Sequence, residues 1–336
     1  MAIHRDPARS RPLMNPRQNL AGLLDAAPDR IEFRNEVFAG LSRTPRSLSC
    51  KFFYDEAGAR LFQKICELPE YYITRTELGI LRLHGAAMAD CLGPNIELIG
   101  LGTGAGTKTR ILLQELRNPL VYVPIDISKE QLEKSCARFH EMFPELQILP
   151  LCADYLEPFE LPLPRRPSAR SVVYFPGSTI GNFEPAVAME FLHRLVDLVG
   201  DGGGLLIGVD LEKDTKLLEA AYNDSAGVTA KFNLNLLTRI NQELGADFLL
   251  DNWRHRAIYN RREGRIEMYL ISQQEQSVRI QDREFNFGAD EWVLTEYSYK
   301  HTPQGFAALA NKAGFRFEKM WSDKARLFGV FYFSVL

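Results

Sequence analysis

A run of glycines, with carboxylates placed at intervals beyond it, carries the first chemistry that can be read from this chain. Glu97-Leu-Ile-Gly100-Leu-Gly102-Thr-Gly104-Ala-Gly106-Thr-Lys108-Thr109 leads from an apolar strand through glycines into a helix over Thr107 to Leu116. Glycines there let the backbone turn sharply and let a ligand lie close against the main chain. Asp126 ends a second apolar run, Leu120 to Ile125, where a carboxylate can accept hydrogen bonds from a ribose diol. Asp154 ends a third run, Gln147 to Cys152, and Tyr155 adds an aromatic surface for an adenine. Glycine loop, ribose acid, then acid plus aromatic is the layout of an S-adenosylmethionine (SAM) site on a Rossmann-like sheet. The glycines alone leave a choice, since Gly100, Gly102 and Ala105 also fit a nicotinamide or flavin fingerprint with Asp126 near the expected spacing. Thr107 separates Gly106 from Lys108, so no phosphate-binding Gly-Lys-Ser/Thr loop forms. The acid after the third run favours SAM, because dinucleotide folds have no standing need for it.

The strands that must position these residues are Ile96–Leu101, Val121–Ile125, Gln147–Leu151, Ser171–Phe175 and Gly204–Val209. Their alternation with helices predicts a doubly wound α/β sheet. Before it, Asp29 to Leu41, Ala57 to Leu68 and Thr76 to Ala89 read as helices; Leu61, Phe62, Ile65 and Leu68 give the second an amphipathic stripe, and Pro69 stops it. After Asp210 the alternation ends. Leu217 to Asn223 and Ala226 to Leu244 read as helices, and Trp253 to Ser298 as antiparallel strands with a hairpin turn at Arg261-Arg-Glu-Gly264. Phe306 to Ala313, Arg316–Trp321 and Phe328–Ser334 supply a helix and two strands that could complete the sheet. The expected organisation is a flexible tail over residues 1–27 and a cofactor domain from 76–211 and 301–336. A second, α+β domain is expected from 28–75 and 212–300, formed by the N-terminal helices and an insertion.

Composition narrows the partners. A length of 336 residues suits roughly two domains. A formal charge of -3 gives no field for nucleic acid or anionic membranes. The six histidines show no H-x-x-x-H pattern and the five cysteines no C-x-x-C, so neither a metal site nor a disulfide framework is expected. Cys152 reads as a small buried residue rather than a nucleophile. No apolar stretch approaches the ~20 residues of a membrane span. Arg5, Arg9, Arg11 and Arg17 precede no apolar segment of a signal peptide. A cytoplasmic monomer acting on a small molecule is the expectation.

The fourth strand runs into Tyr174-Phe-Pro-Gly-Ser-Thr-Ile-Gly-Asn-Phe-Glu-Pro185, small residues around one amide side chain. Such a loop suits either a ligand packed on its backbone or a turn capped by Asn182. Further blocks follow a recognisable order: Phe53-Tyr54-Asp55, Leu68-Pro-Glu-Tyr71-Tyr72-x-Thr74-Arg75-Thr76-Glu77, Gly177-Ser-Thr-Ile-Gly-Asn182, Ala221-Tyr222-Asn-Asp-x-Ala-Gly227-Val-Thr-Ala-x-Phe-Asn233, Arg265-Ile-Glu-Met268 and Thr295-Glu296-x-Ser298-x-Lys300. Together they resemble the histidine-specific, SAM-dependent Nα-methyltransferases of ergothioneine biosynthesis, which convert L-histidine to its trimethylbetaine, hercynine. The resemblance runs from about residue 28 to the C-terminus.

That resemblance implies roles for individual residues. Tyr71, Asn182 and Tyr222 match positions that hold the substrate carboxylate and amine, with Asn182 and Tyr222 nearest the reaction. Glu296 and Ser298 match the pair that grips the imidazole. Tyr54, Phe62, Gly177, Thr179 and Met268 match the rest of the pocket lining. Gly102, Lys108, Asp126, Asp154 and Tyr155 match contacts to SAM or its product S-adenosylhomocysteine. The glycine loop departs from the family's usual, shorter Gly-Ser-Gly-Thr-Ser-x-Lys-Thr, which leaves its own contacts to the cofactor open. The residue types suit these roles. Neutral imidazole offers one donor and one acceptor, so Glu296 can accept and Ser298 can donate. As i and i+2 on a strand, the two share a face. A bland alternative pairs Glu296 with Lys300 on that face, and places Met268 in the core.

The expected reaction is SAM-dependent Nα-trimethylation of L-histidine, with Asn182 and Tyr222 orienting the amine lone pair while water carries the proton away. One rival keeps the chemistry and changes the acceptor to a tryptophan-like amino acid or a histidine derivative; Glu296 with Ser298 argues for histidine. A nicotinamide-dependent oxidoreductase lacks an obvious hydride-site His or Tyr-x-x-x-Lys pair. A non-catalytic SAM-binding scaffold would not need the acceptor loop.

Overall fold

The structure, a computed structural model, describes residues 19–26 and 30–335. In chain order the elements begin with β1 (Leu24–Ala26), α1 (Arg30–Leu41), α2 (Glu56–Glu67) and α3 (Tyr72–Leu92). An alternating run follows: β2 (Glu97–Leu101), α4 (Thr107–Glu115), β3 (Val121–Asp126), α5 (Lys129–Met142), β4 (Gln147–Ile148), β5 (Leu151–Ala153), β6 (Ser171–Phe175), α6 (Pro185–Val199) and β7 (Gly204–Asp210). Next come α7 (Thr215–Tyr222), α8 (Val228–Leu244), β8 (Trp253–Asn260), β9 (Arg265–Ser272), β10 (Gln276–Ile280), β11 (Arg283–Phe287) and β12 (Trp292–Tyr299). The chain closes with α9 (Pro303–Lys312), β13 (Arg316–Ser322) and β14 (Phe328–Ser334). Among the described residues two compact units result: 19–26, 76–211 and 301–335 form one, 30–75 and 212–300 the other.

The first unit is a Rossmann-like sheet in the order β1-β5-β3-β2-β6-β7-β14-β13, with β4 also on β3. Strands β1 to β7 pair in parallel, whereas β14 runs antiparallel to β7 and β13 antiparallel to β14. Strands buried on both faces must be apolar throughout, and Val121–Asp126 and Gly204–Asp210 are buried at every position. Ile99, Val123, Phe175, Ile207 and Phe331 join Phe191 of α6 and Phe306 of α9 in one core. The strand order reverses between β2 and β6, and in such sheets ligands bind at the carboxyl ends beside that point. The glycine loop leaves β2 there and the Gly177–Asn182 loop leaves β6.

Three expectations are corrected. The third strand is not continuous over Gln147–Leu151 but splits into β4 and β5. Pro150 interrupts it because proline has no N–H for the ladder. The tail expected over 1–27 is ordered where it is described: Leu20 bridges Ile148, and β1 pairs with β5. An edge strand leaves backbone groups unpaired, and this segment satisfies them; residues 1–18 and 27 lie outside the described residues. The helix expected from Thr76 starts at Tyr72 and continues to Leu92.

The second unit carries an antiparallel sheet in the order β12-β9-β8 and a β10-β11 hairpin. Asn260 faces Arg265 across the expected turn, and Gly264 holds the left-handed φ of 67° that closes it. Helix α8 buries Phe232, Leu236, Leu237 and Ile240 on one face. Asp55 caps α2 by accepting from Gly58 N at 2.8 Å and also accepts from Asn235 Nδ2 of α8 at 2.8 Å.

Candidate functional site

Within the first unit the loop after β2 is shaped by backbone. Gly102 and Gly104 have φ of 60° and 47°, which side-chain-bearing residues rarely adopt, and a Cβ on Gly104 would meet nothing within 4 Å. The strain-free turn therefore leaves open space above the main chain. Gly106, at φ 73°, has a further reason, since a Cβ there would lie 2.7 Å from the Phe139 ring. Asp126, at the end of β3, is buried and accepts from Gly104 N at 2.8 Å through one oxygen and from Ser128 N at 2.9 Å through the other. Burial pushes its carboxyl above the usual range, while the Ser128 and Gly104 amides pull it back. Each carboxylate oxygen has a second acceptor site, so a diol can still be gripped. Asp154 is buried just past β5 and accepts from Leu156 N at 2.9 Å. Tyr155 packs against Phe175 and Phe191 with centroids 5.5 and 6.0 Å apart, and its ring lies 3.8 Å from where a Gly102 Cβ would sit.

Two of these parts are tied by a carboxylate whose role local sequence does not disclose. Glu77 of α3 is fully buried; it accepts from Gly177 N through both oxygens, at 3.1 and 3.0 Å, and pairs with Lys108 Nζ at 2.5 Å. The ammonium of Lys108 also lies 3.3 Å from where a Gly177 Cβ would stand. So Lys108, expected at the cofactor, and Gly177, expected at the acceptor, are neighbours held by one side chain. Ser178 follows at φ 61° and accepts from Asp210 N through Oγ at 2.8 Å. Thr179 and Asn182 begin and end the short helical turn Thr179–Asn182, both half-buried.

The second unit brings the other expected residues together. Tyr54 meets Phe62 edge-on at 5.6 Å, Phe62 meets Tyr71 at 6.2 Å, and Tyr71 meets Tyr222 at 6.3 Å. Phe232 of α8 completes the aromatic wall, 5.9 Å from both Tyr54 and Phe62. Spacing alone does not assign Phe232 to the site, because a helical Phe at core spacing looks like any other. On the sheet, Glu296 stands opposite Met268 and Ser298 opposite Ile266. Directly opposed residues of antiparallel strands share a face, so the pair and the methionine line one surface.

Polar groups at that surface are unequally supplied. Glu296 makes no hydrogen bond with the described residues, and its enclosure by protein pushes the carboxyl up to about 7, with Lys300 drawing it back. Lys300 does not fulfil the expected alternative of pairing with Glu296. Its Nζ donates to Ser298 Oγ at 2.8 Å and to Tyr222 Oη at 3.0 Å, and those hydroxyls bond one another at 2.8 Å. Burial, and then Tyr222, Cys66, Tyr54 and Glu296, keep the Tyr71 phenol well above its usual range, so it stays neutral.

Much of the Ala221–Asn233 block proves to be support for Tyr222. Asn223 exchanges two hydrogen bonds with Ala257, each 3.0 Å. Asp224 caps α8 through Val228 N and Thr229 N at 2.8 and 2.7 Å. Asn233 Nδ2 must face the Tyr269 carbonyl at 3.1 Å, so His255 Nδ1, 2.9 Å away, accepts from it. His255 Nε2 then carries the proton and donates to Tyr222 O at 2.8 Å. Burial holds this imidazole neutral by lowering its pKa. Glu70 accepts from Ser225 N and Oγ at 3.2 and 2.7 Å, joining the loop that presents Tyr71 to the α7–α8 turn.

Comparison with known proteins gives a consistent picture. A family described as histidine-specific, SAM-dependent methyltransferase matches residues 33–335. The histidine N-alpha-methyltransferase of Mycolicibacterium smegmatis is 42% identical over 318 residues, 93% of this chain and 98% of that protein. The enzyme of the same name from Mycobacterium tuberculosis is 39% identical over 319 residues, 94% of this chain and 98% of its own. A more distant relative, the L-tryptophan methyltransferase of Psilocybe serbica, is 26% identical over 339 residues, 91% of this chain and 94% of its own.

Proposed function

The chain belongs to the histidine-specific, SAM-dependent methyltransferases, and on that premise we propose how its residues methylate the α-amine of L-histidine to hercynine, as in ergothioneine biosynthesis. The cofactor is SAM, which supplies a methyl group already activated on a sulfonium. The residues fit it: open space over Gly104, a buried acid at the end of β3, and an acid followed by an aromatic after β5. In this reading Gly102, Asp126, Asp154 and Tyr155 hold the adenosyl part, and Lys108, positioned by Glu77, faces the charged amino-acid part.

The observation that carries the acceptor assignment is the Glu296–Ser298 pair on one sheet face beside Met268. Glu296 accepts from one imidazole nitrogen and Ser298 donates to the other. Tyr54, Phe62 and Met268 bound the pocket; Tyr71, Asn182 and Tyr222 hold the carboxylate and amine, with Gly177 and Thr179 shaping the loop that carries Asn182. The amine attacks as a neutral group. Alignment of nucleophile, carbon and leaving sulfur can supply roughly 7–11 kcal/mol, so no strong base is assigned, and water takes the proton. Each transfer leaves a nitrogen that regains a lone pair by losing a proton until the third methyl makes it quaternary. The reading extends to a monomeric, cytoplasmic enzyme. Among the described residues no helix is long and apolar enough to cross a membrane.

Purified protein with SAM and each amino acid in turn, followed by mass spectrometry, tests the assignment. Histidine should gain three methyl groups. Preferential methylation of tryptophan, the acceptor named for the relative from Psilocybe serbica, would replace it.

A further inference from the structure

Lys300 is a buried cation beside Tyr222 and Ser298 to which the proposed reaction gives no role. It follows β12, is 4% exposed, and touches two hydroxyls that are themselves in contact. An ammonium has donors and no lone pair, so in both contacts the hydroxyl oxygen accepts. Between Tyr222 and Ser298 one hydroxyl must donate to the other. A phenol, with a pKa of about 10, is a stronger donor than an alkyl hydroxyl, and its oxygen is the poorer acceptor because a lone pair is delocalised into the ring. Tyr222 therefore donates to Ser298. The two acceptor sites of Ser298 Oγ are then filled, one by Lys300 and one by Tyr222, and the serine has only its hydrogen left to give.

We propose that Lys300 is a positioning residue that sets substrate specificity by committing Ser298 to act as a hydrogen-bond donor. The proposal rests on the reading of L-histidine as acceptor and deepens it. A donor at Ser298 requires a bare ring nitrogen opposite, which the neutral imidazole has and an imidazolium, an indole or a phenyl ring lacks. Without Lys300 the serine hydroxyl regains an acceptor site, can rotate, and no longer distinguishes a bare nitrogen from an N–H.

The test is a double-mutant cycle with Lys300→Met and Ser298→Ala, reading L-histidine affinity in the presence of S-adenosylhomocysteine. Lys300→Met should weaken histidine binding by roughly tenfold to a hundredfold, the worth of a charge-supported hydrogen bond. Affinity for S-adenosylhomocysteine alone should stay at the wild-type value. In the Ser298→Ala background the same substitution should cost clearly less than in the wild type, because the hydroxyl through which Lys300 sets specificity is gone and only its contact with Tyr222 remains. Independent effects that multiply in the double variant, or wild-type histidine affinity in Lys300→Met, would overturn the proposal. Should Lys300→Met fail to fold, Lys300→Gln, which keeps an N–H donor, enters the cycle instead. It should bind histidine within a few fold of wild type, and a loss as large as that of Ser298→Ala would count against the proposal. A wild-type protein that does not bind histidine at all would instead sink the acceptor assignment.

Discussion

Asp126 is buried and Glu296 half-buried, and their surroundings ask different things of the two carboxylates. Asp126 already accepts two backbone amides, so Asp126→Ala removes support for the loop as well as the grip on a diol. Binding of S-adenosylhomocysteine should weaken by roughly 1.5–3 kcal/mol for each charge-assisted hydrogen bond lost, as calorimetry can read. Glu296 has no such partner among the described residues, and on the proposed reading it is left to the ligand. Glu296→Ala should abolish most activity on histidine while leaving S-adenosylhomocysteine affinity near the wild-type value; equal loss of both would mean the residue is structural. The pH dependence follows from its raised pKa. The carboxyl titrates at about 7 in the folded chain and near 4.3 when unfolded, roughly the ordinary glutamate value. Between those values the native state keeps a proton that the unfolded chain has released, so this residue's contribution to stability is present at low pH and is lost as pH rises through about 7. Thermal denaturation of the ligand-free protein should therefore show wild type losing stability relative to Glu296→Gln between about pH 4 and 7, and little further change above that. A constant difference across that range would show that the site does not perturb the carboxyl.

At the level of elements, the acceptor pocket depends on caps and buried bridges more than on the residues that line it. Asp55 joins the start of α2 to α8, and Tyr54 precedes it directly. Asp55→Ala loses an N-cap, about 0.5–2 kcal/mol, and leaves the largely buried Asn235 amide without that acceptor, costing roughly a further 1–3 kcal/mol. The expected outcome is a lower Tm with a raised KM for histidine. Gly58 belongs to the same junction, since a Cβ there would sit 1.7 Å from Phe53 O. In the first unit Glu77 plays the equivalent part between the glycine loop and the Gly177 loop. Glu77→Ala should weaken S-adenosylhomocysteine binding by disordering Lys108, and titration of the ligand into the folded variant would detect it. An unchanged affinity would leave Glu77 as a core-filling group only.

The whole molecule is a parallel sheet closed by two antiparallel strands, joined in sequence to an inserted α+β unit. A cofactor that binds only the folded sheet stabilises it by mass action, by about 2.7 kcal/mol at a hundred times Kd. S-adenosylhomocysteine should raise Tm accordingly and NADH should not; the reverse pattern would end the methyltransferase reading. Three methyl transfers also have to occur on one chain. In a time course with excess SAM and removal of S-adenosylhomocysteine, histidine should pass through mono- and dimethyl stages to the betaine without a second protein. Accumulation at an earlier stage would show that the pocket is built for another product.

Local pattern determined a good deal by itself. Continuous apolar runs and period-3.6 apolar spacing placed most strands and helices to within a few residues, because burial on both faces of a strand or one face of a helix dictates those patterns. The glycines at Gly102 and Gly104 and the acids after β3 and β5 announced a cofactor edge, since a positive φ and a strand-end carboxylate are properties of position in the chain. Only tertiary structure decided which polar groups were spent. Glu77, Lys300, Asp55 and His255 look in sequence like ordinary charged or polar residues. Each also has a partner on a distant segment of the chain, Gly177 for Glu77, Tyr222 for Lys300, Asn235 for Asp55 and Asn233 for His255, and hydrogen-bond saturation is a property of three-dimensional neighbours. The same holds for Ser298: its place opposite Ile266 follows from strand pairing and the alternation of strand faces brings Lys300 to it, but the Tyr222 hydroxyl that completes the group comes from a distant helix that no spacing rule brings there.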